Sequence, residues 1–516
     1  MLVLYMSPDL TSERQLLRIF ERRPEMRARF RIMEPSLILG AIGDKLRSKD
    51  VAAAVNKLHD KHRHLSAKET LTATQAFALG CFCVALPVLL VLAFWETLLA
   101  IHVLATFAFA LATTIRLAAF VHLWKKKPVV DYPDEPLGPF PTYSILVALH
   151  KEAAVASQIV RSMSRLDWPV SRLEVFYVCE EGDSQTLDAL ARIRMPPSHN
   201  IIKVPAAAPM TKPKALNFAL ERCNGDFVVI YDAEDRPHPQ QLRQAWSKFR
   251  QAGEDLACLQ APLLVTNMHQ GWLPRMFAFE YASHFYGLLP YLAHQGTPLP
   301  LGGTSNHFRR DALEKVMAWD PYNVTEDADL GIRFYRFGYR CSVINLPTLE
   351  DAPTSLKQWI PQRTRWIKGW IQTLLVHNRR NIRFLNQIGK YNFLLFQILM
   401  IGFVFSPLLY GISLIEFSFL IAVEYEYSSS QKIILILDCI VFVVGHIAHI
   451  LLSTLAWRRA QNQSATIGMC VSLPAYWVLG TFAAWRAVWK LIRAPFEWEK
   501  TDHSPVLRLR NPEIES

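Results

Sequence analysis

Four polar clusters between Pro209 and Trp366 hold the residues whose types and spacing can do chemistry. They are Thr211 to Asn217 (TKPKALN), Asp232 to Asp235 (DAED), Thr325 to Asp329 (TEDAD) and Gln362 to Trp366 (QRTRW). Asp232, Glu234 and Asp235 follow an apolar run. Carboxylates at such a strand end suit Mg2+ or Mn2+, hard cations that take oxygen ligands and keep bonds to substrate phosphates. Lys212 and Lys214 flank Pro213 at the start of a helical stretch, where ammonium groups and a helix N-terminus together favour an anion. Glu180 and Asp183, after an earlier apolar run, can accept hydrogen bonds from a base or a ribose. Asp327 is the candidate general base, because an enclosed carboxylate can be tuned to take the proton of an attacking hydroxyl. Arg363 and Arg365 can grip a diphosphate and offset charge on a leaving group, while Trp366 offers a flat apolar face to a sugar ring. Each cluster also has a plainer reading: an acidic turn, two surface lysines, a helix cap at Thr325, an anchoring helix at a membrane surface. Together they suit transfer of a sugar from a nucleotide donor.

The elements that must position these residues alternate. Strands are expected over Tyr143–His150, Leu173–Glu180, Asn200–Val204, Asp226–Tyr231 and Leu256–Ala261. Helices are expected over Glu152–Leu166, Ser184–Arg194, Lys214–Cys223 and His238–Gln251. This βαβ alternation predicts a mostly parallel sheet, whose ligands sit beyond the carboxyl ends of the strands, where Glu180, Asp232 and Gln260 fall. After Pro262 the pattern changes. Gly271–Leu292 is rich in aromatic residues and reads as helical core that partly lines a sugar track. Gly302-Gly303 permits close backbone approach. Ser355–Asn378 is amphipathic and suits a membrane interface.

The chain has 516 residues, 51% hydrophobic and 20% charged, with net charge +11 and mean hydropathy +0.12. The apolar residues are concentrated. Leu71–Phe94 and Thr97–Phe120, joined by a turn at Trp95-Glu96, predict a transmembrane hairpin. Tyr391–Val423, read either as one tilted span or as a broken pair, Ile433–Trp457 and Ile467–Leu491 bring the expected total to four to six spans. Basic residues flank these runs, so both ends of the hairpin and the basic tail are placed in the cytoplasm. The positive charge is assigned to such loops, not to nucleic-acid binding. The cysteines show no metal-binding spacing, and Met1–Tyr5 is too short for a signal peptide. The expected organisation is a helical N-terminal segment (1–70), a hairpin (71–122), a Pro-rich linker over Pro128–Pro141 within the approach to a catalytic domain (138–355), interface helices (356–390), membrane helices (391–492) and a tail (493–516).

The order Glu180/Asp183, Lys212, Asp232-x-Glu234-Asp235, Thr325-Glu326-Asp327, Gln362-Arg363-x-Arg365-Trp366 resembles the family 2 glycosyltransferases of the cellulose synthase and hyaluronan/chitin synthase type. The resemblance covers roughly residues 140 to 390, and more loosely Pro495–Thr501. It implies an α/β GT-A fold (Rossmann-like) inserted between transmembrane helices, a UDP-sugar donor and a divalent metal, Mg2+ or Mn2+. It implies Asp327 as base, Arg363 and Arg365 with Gln362 at the donor diphosphate, and Trp366 with Glu326 and Thr325 at the acceptor. Glu180-Glu181-Gly182-Asp183 stands where the family has Asp-Asp-Gly, leaving the uracil contact between Glu180 and Asp183. The lengthened Asp-x-Asp leaves the second metal ligand between Glu234 and Asp235. The implied activity is inverting elongation of a β-linked glycan at the inner (plasma) membrane, with membrane lipids around it and export or regulatory subunits as partners. The alternatives are transfer of one sugar to a lipid carrier and a non-catalytic nucleotide-sugar-binding regulator.

Overall fold

The computed structural model describes residues 4–6, 13–24, 30–32, 35–126, 139–422 and 429–499. The Pro-rich linker falls largely outside these residues, as does the basic tail beyond residue 499.

Strands β1 (Leu4–Met6) and β2 (Phe30–Ile32) pair in parallel, with helix α1 (Glu13–Arg22) between them and α2 (Pro35–His62) after. Next come α3 (Ala73–Leu92) and α4 (Phe94–Lys125). The central part runs β3 (Tyr143–Leu149), α5 (Ala156–Ser164), β4 (Leu173–Glu180), α6 (Ser184–Ala191), β5 (His199–Val204), α7 (Lys212–Leu220), β6 (Phe227–Tyr231), β7 (Arg236–Pro237), α8 (Gln241–Gln251), β8 (Leu256–Gln260) and β9 (Leu263–Val265). It continues with α9 (Trp272–Ala282), a π-helical turn (Ser283–Leu288), α10 (Leu289–His294), β10 (Asn306–Arg309), α11 (Arg310–Lys315), α12 (Glu326–Arg336), β11 (Arg340–Val343) and β12 (Thr348–Glu350). The last helices are α13 (Leu356–His377), α14 (Asn381–Met400), α15 (Ser406–Ala422), α16 (Ser429–Gln461) and α17 (Ile467–Arg493).

Seven strands form the main sheet in the order β11-β8-β10-β6-β3-β4-β5. All its pairs are parallel except those of β10 with β6 and β8. Both faces are buried, as the unbroken apolar runs require. Leu146, Val178 and Ile230 feed one core cluster, and Ile145, Val147, Tyr177 and Val229 the other. Each such side chain contributes about 1.5–3 kcal/mol by leaving water. The order reverses between β3 and β6, so the crevice beyond their carboxyl ends is the natural ligand position.

The five expected strands and the parallel sheet are present; sequence reasoning missed β11 of the same sheet and, in its middle, β10. Its sequence Asn-His-Phe-Arg has no apolar run, yet Asn306 and His307 are fully buried. His307 is bonded by Tyr143 at 2.6 Å and by Gln241 at 3.2 Å. The hairpin turn is also displaced. The helix breaks at Ala93 (φ −144°, ψ 63°), and Trp95 and Glu96 open α4, with the acid at the positive end of the helix dipole.

Among the described residues five helical runs are long and apolar enough to cross a membrane: Ala73–Leu92, Phe94–Lys125, Leu356–Ile415, Lys432–Gln461 and Ile467–Arg493. Their surfaces carry side chains that water would not tolerate as a band, such as Phe77 (75% exposed), Val91 (82%) and Val471 (73%). The stretch expected as one tilted span or a broken pair is one path: α14 passes through a π-helical turn, Ile401–Phe405, into α15. That turn precedes Pro407, which has no N–H for the regular ladder.

Candidate active site

β6 delivers Asp232 to the switch-point crevice. The turn after it closes on itself: Asp232 N–H donates to the Asp235 carboxylate at 2.6 Å, and Thr304 O–H donates to the same oxygen. Asp235 is fully buried. Burial, with Asp232 and Glu234 beside it, holds its carboxyl well above the usual range. Asp235 therefore braces the turn and stands outside the cavity wall, so of the two alternatives left open for the second metal ligand, Glu234 and Asp235, Glu234 is the one at the wall. Asp232 and Glu234 do line the cavity, and burial and the Asp232 charge push the Glu234 carboxyl up to about 8. Among the described residues no three His, Cys, Asp or Glu side chains converge on one point. Two oxygen donors in one turn nonetheless fit a divalent cation that takes its remaining ligands from substrate phosphates and water.

The lysine pair separates. Lys212 lines the cavity and donates to Asp232 at 2.6 Å. Lys214 is fully buried, paired with Glu180 at 2.7 Å and bonded to the carbonyls of Pro205 and Ala207. It ties α7 to the end of β4 and offers nothing to an anion. Glu180 reaches the cavity wall. Asp183 does not: it caps α6 through Thr186 N–H and accepts from Lys151 N–H, which fixes the loop after β3. The Asp183 carboxyl is lowered, backbone and Thr186 hydrogen bonds outweighing its burial. Of the two base-contact candidates, only Glu180 faces the cavity.

Thr325, Glu326 and Asp327 open α12 at the same crevice, and all three line it. Thr325 makes no capping bond with its side chain. Asp327 is 3% exposed and accepts from Trp319 Nε1 at 3.2 Å. Burial first and the Glu326 charge second hold its carboxyl well above the usual range, against the pull of Lys212. That environment makes the carboxylate a stronger base than a free aspartate.

α13 brings Gln362, Arg363, Arg365 and Trp366 to the wall. Residues 362, 365, 366 and 369 share one helical stripe, whereas Arg363 and Arg365 are about 200° apart. The sequence reading put both arginines at the diphosphate; they reach the same cavity from different sides of the helix. Arg363 makes a two-pronged pair with Glu280, one bond at 2.7 Å, and donates to Tyr476 at 3.0 Å. It also lies 4.6 Å over the Trp366 ring. Arg365 acts on the Glu326 charge and lies 5.0 Å over Trp498. Trp366 stacks on Tyr281 at 6.0 Å and 29°.

One cavity of about 560 Å³ joins these groups. It starts at Glu180, Asp232 and Asp327, passes Tyr281, Trp366 and Trp370, and continues among Arg116, Tyr410, His449 and Trp477 of the apolar helices. The sequence had singled out neither Glu280 nor Trp319 as a partner of the site. A tertiary contact 83 residues away, Arg363 to Glu280, leaves no local signal. Trp498 does carry a signal, since it sits in the segment Pro495–Thr501 noted for its looser resemblance.

Residues 141–369 match the family described as glycosyltransferase like family 2. Among curated proteins, a beta-monoglucosyldiacylglycerol synthase of Synechocystis sp. is 28% identical over 269 residues, 51% of this chain and 55% of that protein. A cellulose synthase catalytic subunit of Xanthomonas axonopodis pv. citri is 27% identical over 276 residues, 51% of this chain and 36% of that protein. The chain thus spans about half the length of the first and about a third of the second. A solved mannosyltransferase from Pyrobaculum calidifontis, in complex with GDP-Man and Mn2+, is similar with 18% identity and a TM-score of 0.44, covering 75% of this chain and 99% of that one. The mostly parallel sheet with acidic strand ends is a GT-A fold, and residues 141–369 are a family 2 glycosyltransferase domain.

Proposed function

We propose that this chain is an inverting membrane glycosyltransferase that uses a UDP-sugar to lengthen a β-linked glycan and passes the product toward the membrane. One observation carries the reading: the cavity that holds the carboxylates is continuous with an aromatic-lined path into the apolar helices. Along it Trp366 stacks on Tyr281, and Trp370 on Phe403 at 4.6 Å. Flat apolar faces in series suit successive sugar rings.

In this reading Glu180 faces the nucleotide base, and Asp232 and Glu234 hold Mg2+ or Mn2+. When bound, the cation neutralises charge on the diphosphate. Asp327 takes the proton of the acceptor hydroxyl as its oxygen attacks the anomeric carbon and the bond to the diphosphate oxygen breaks. Proton and leaving group end on different partners, and a single displacement inverts the centre. Arg365 and Lys212 meet charge on the departing UDP, Lys212 from beside Asp232, while Arg363 is held by Glu280. Trp366 supports the acceptor.

The membrane arrangement follows from polar ties. Arg459 at the end of α16 donates to the carbonyls of Leu123 and Lys126 at the end of α4. Gln75 at the start of α3 bonds Leu375 of α13. α17 lies along α13, and beyond its far end Ala494 and Glu497 carbonyls accept from Lys368. In this reading both ends of α17 lie on the side of the sheet, although it is long and apolar enough to cross, and the crossings are α3, α4, α14–α15 and α16. Lys and Arg at the sheet-side ends support, by the positive-inside rule, a catalytic half on the cytoplasmic side; the plasma membrane is this reading's location.

A second reading, transfer of one sugar to a lipid, draws support from the similarity to a glycolipid synthase. Membranes carrying this protein, or an Asp327→Asn control, are given labelled UDP-sugars with Mg2+ or Mn2+. The proposal expects label in high-molecular-weight product, absent in the control. Label confined to the lipid extract replaces it with the second reading, and label in polymer with Asp327→Asn removes Asp327 as base.

A further inference from the structure

Beyond Trp366 and Trp370 the cavity ends among side chains that glycosyl transfer does not use. Arg116 of α4 lines this end, with Thr113 one turn before it and Tyr410, His446 and His449 opposite. Arg116 lies nine residues before Lys125, about 13 Å along the helix from its basic end. Among the described residues Arg116 has no hydrogen bond or ion pair, and no acidic charge acts on it. His449 is 8% exposed, and neither of its ring nitrogens has a partner among the described residues. Its ring packs edge-on against Trp477 at 4.8 Å, which fixes it at the cavity wall. His446 beside it is held by Tyr410 at 3.1 Å and by its own helix through the Phe442 carbonyl. The close approach of α4 and α16 is built in, since a Cβ at Gly445 would stand 3.1 Å from Thr113 Oγ1.

An unpaired guanidinium at membrane depth is costly and persists where it has a ligand to meet. We propose that Arg116 and His449 form a binding site for the phosphate group of a membrane lipid, drawn from the cytoplasmic leaflet into the inner end of the cavity. The phosphate accepts from the Arg116 guanidinium and from a ring N–H of His449, with the Tyr410 hydroxyl beside it. The walls around these groups are apolar, with Phe109, Val441, Phe442 and Leu452 among the lining residues. Such walls match an acyl or prenyl chain; a free anion would gain nothing from them. This site stands whether the transferred sugar ends on a polymer or on a lipid.

The test uses the full-length protein in detergent, mixed with dioleoyl phosphatidate or with dioleoylglycerol and examined by native mass spectrometry. The expected result is one retained phosphatidate that survives a large excess of inorganic phosphate, with dioleoylglycerol not retained. R116Q and H449Q should each lower retention about tenfold or more, the weight of a lost charge-assisted hydrogen bond, and R116K should lower it less. UDP binding, measured in parallel, reports folding and is independent of the lipid, so a failure of the nucleotide-sugar reading is seen separately. If R116Q also loses UDP binding, H449Q decides, because it leaves the arginine in place. Equal retention by H449Q and the unaltered protein overturns the proposal, as does equal retention of dioleoylglycerol. Displacement by inorganic phosphate assigns the site to a free anion and overturns the lipid.

Discussion

Gly369→Ala tests whether α13 and the start of α12 form one rigid catalytic wall. A Cβ on Gly369 would stand 2.1 Å from Thr325 Oγ1, 2.5 Å from its Cγ2 and 2.7 Å from its Cβ, where ordinary contact begins at 3.4 Å. Rotating the threonine can empty only one of the two close γ positions, and its Cβ is fixed to the backbone. At least about 0.7 Å of main-chain displacement must therefore separate Thr325-Glu326-Asp327 from the stripe carrying Gln362, Arg365 and Trp366. Misplacement of about 1 Å costs on the order of 10²-fold in rate, so a loss of about 10- to 100-fold in transfer is expected. The overpacking itself costs about 1–3 kcal/mol of stability. The assay compares transfer with UDP binding, since Glu180 and Asp232 are not carried by either moving element. Adding Thr325→Ala removes the two nearer atoms and should recover part of the rate. Unaltered transfer in Gly369→Ala, with the protein folded, refutes the close-wall argument.

Three other outcomes follow from the geometry. Asp327 must be deprotonated to act as a base, and its carboxyl is raised by burial and then by Glu326, so transfer should rise with pH through that raised value. Glu326→Gln removes the like charge and should move the acid limb of the pH–rate profile to lower pH; a shift the other way contradicts the assignment. Glu180→Gln leaves the fully buried Lys214 ammonium without its carboxylate and should cost about 3–5 kcal/mol in an unfolding measurement, separate from any change in donor affinity. A double-mutant cycle of Glu280→Gln and Arg363→Gln should give a coupling of about 0.5–3 kcal/mol in stability, because the two groups meet in a two-pronged pair.

The strands β3, β4, β6 and β8 were legible because both faces of the sheet are buried, which writes an unbroken apolar run into the sequence. β10 was not, since a strand whose inward groups are Asn306 and His307 is held by hydrogen bonds, and polarity is what reads as loop. Among the site residues, type and position at a strand or helix end located Asp232, Glu326 and Asp327 at the crevice. Type alone could not say which members of a cluster turn inward. Asp235 and Lys214 differ from Asp232 and Lys212 only in the direction a turn or a helix gives them. The intramembrane groups Arg116, Asp438 and His449 are diluted by the apolar runs that hold them, so hydropathy gives them little weight while tertiary packing brings Asp438 onto His102 and leaves Arg116 unpaired among the described residues.

The difference between Arg363 and Arg365 has a consequence for how the two halves of the protein work together. Two residues apart on α13, they face opposite ways. Arg365 looks toward Glu326 and the donor side, while Arg363 is held by Glu280 of α9 and Tyr476 of α17 and lies over the Trp366 ring. Trp366 is thus clamped from the membrane-facing side, by residues that do not touch the carboxylates. Thr325 at Gly369 fixes the same helix from the catalytic side. A single helix bound on both sides cannot rotate the Trp366 ring without disturbing Thr325 or the α17 contact. In the proposed reading, α13 therefore couples the site of bond formation to the path toward the membrane.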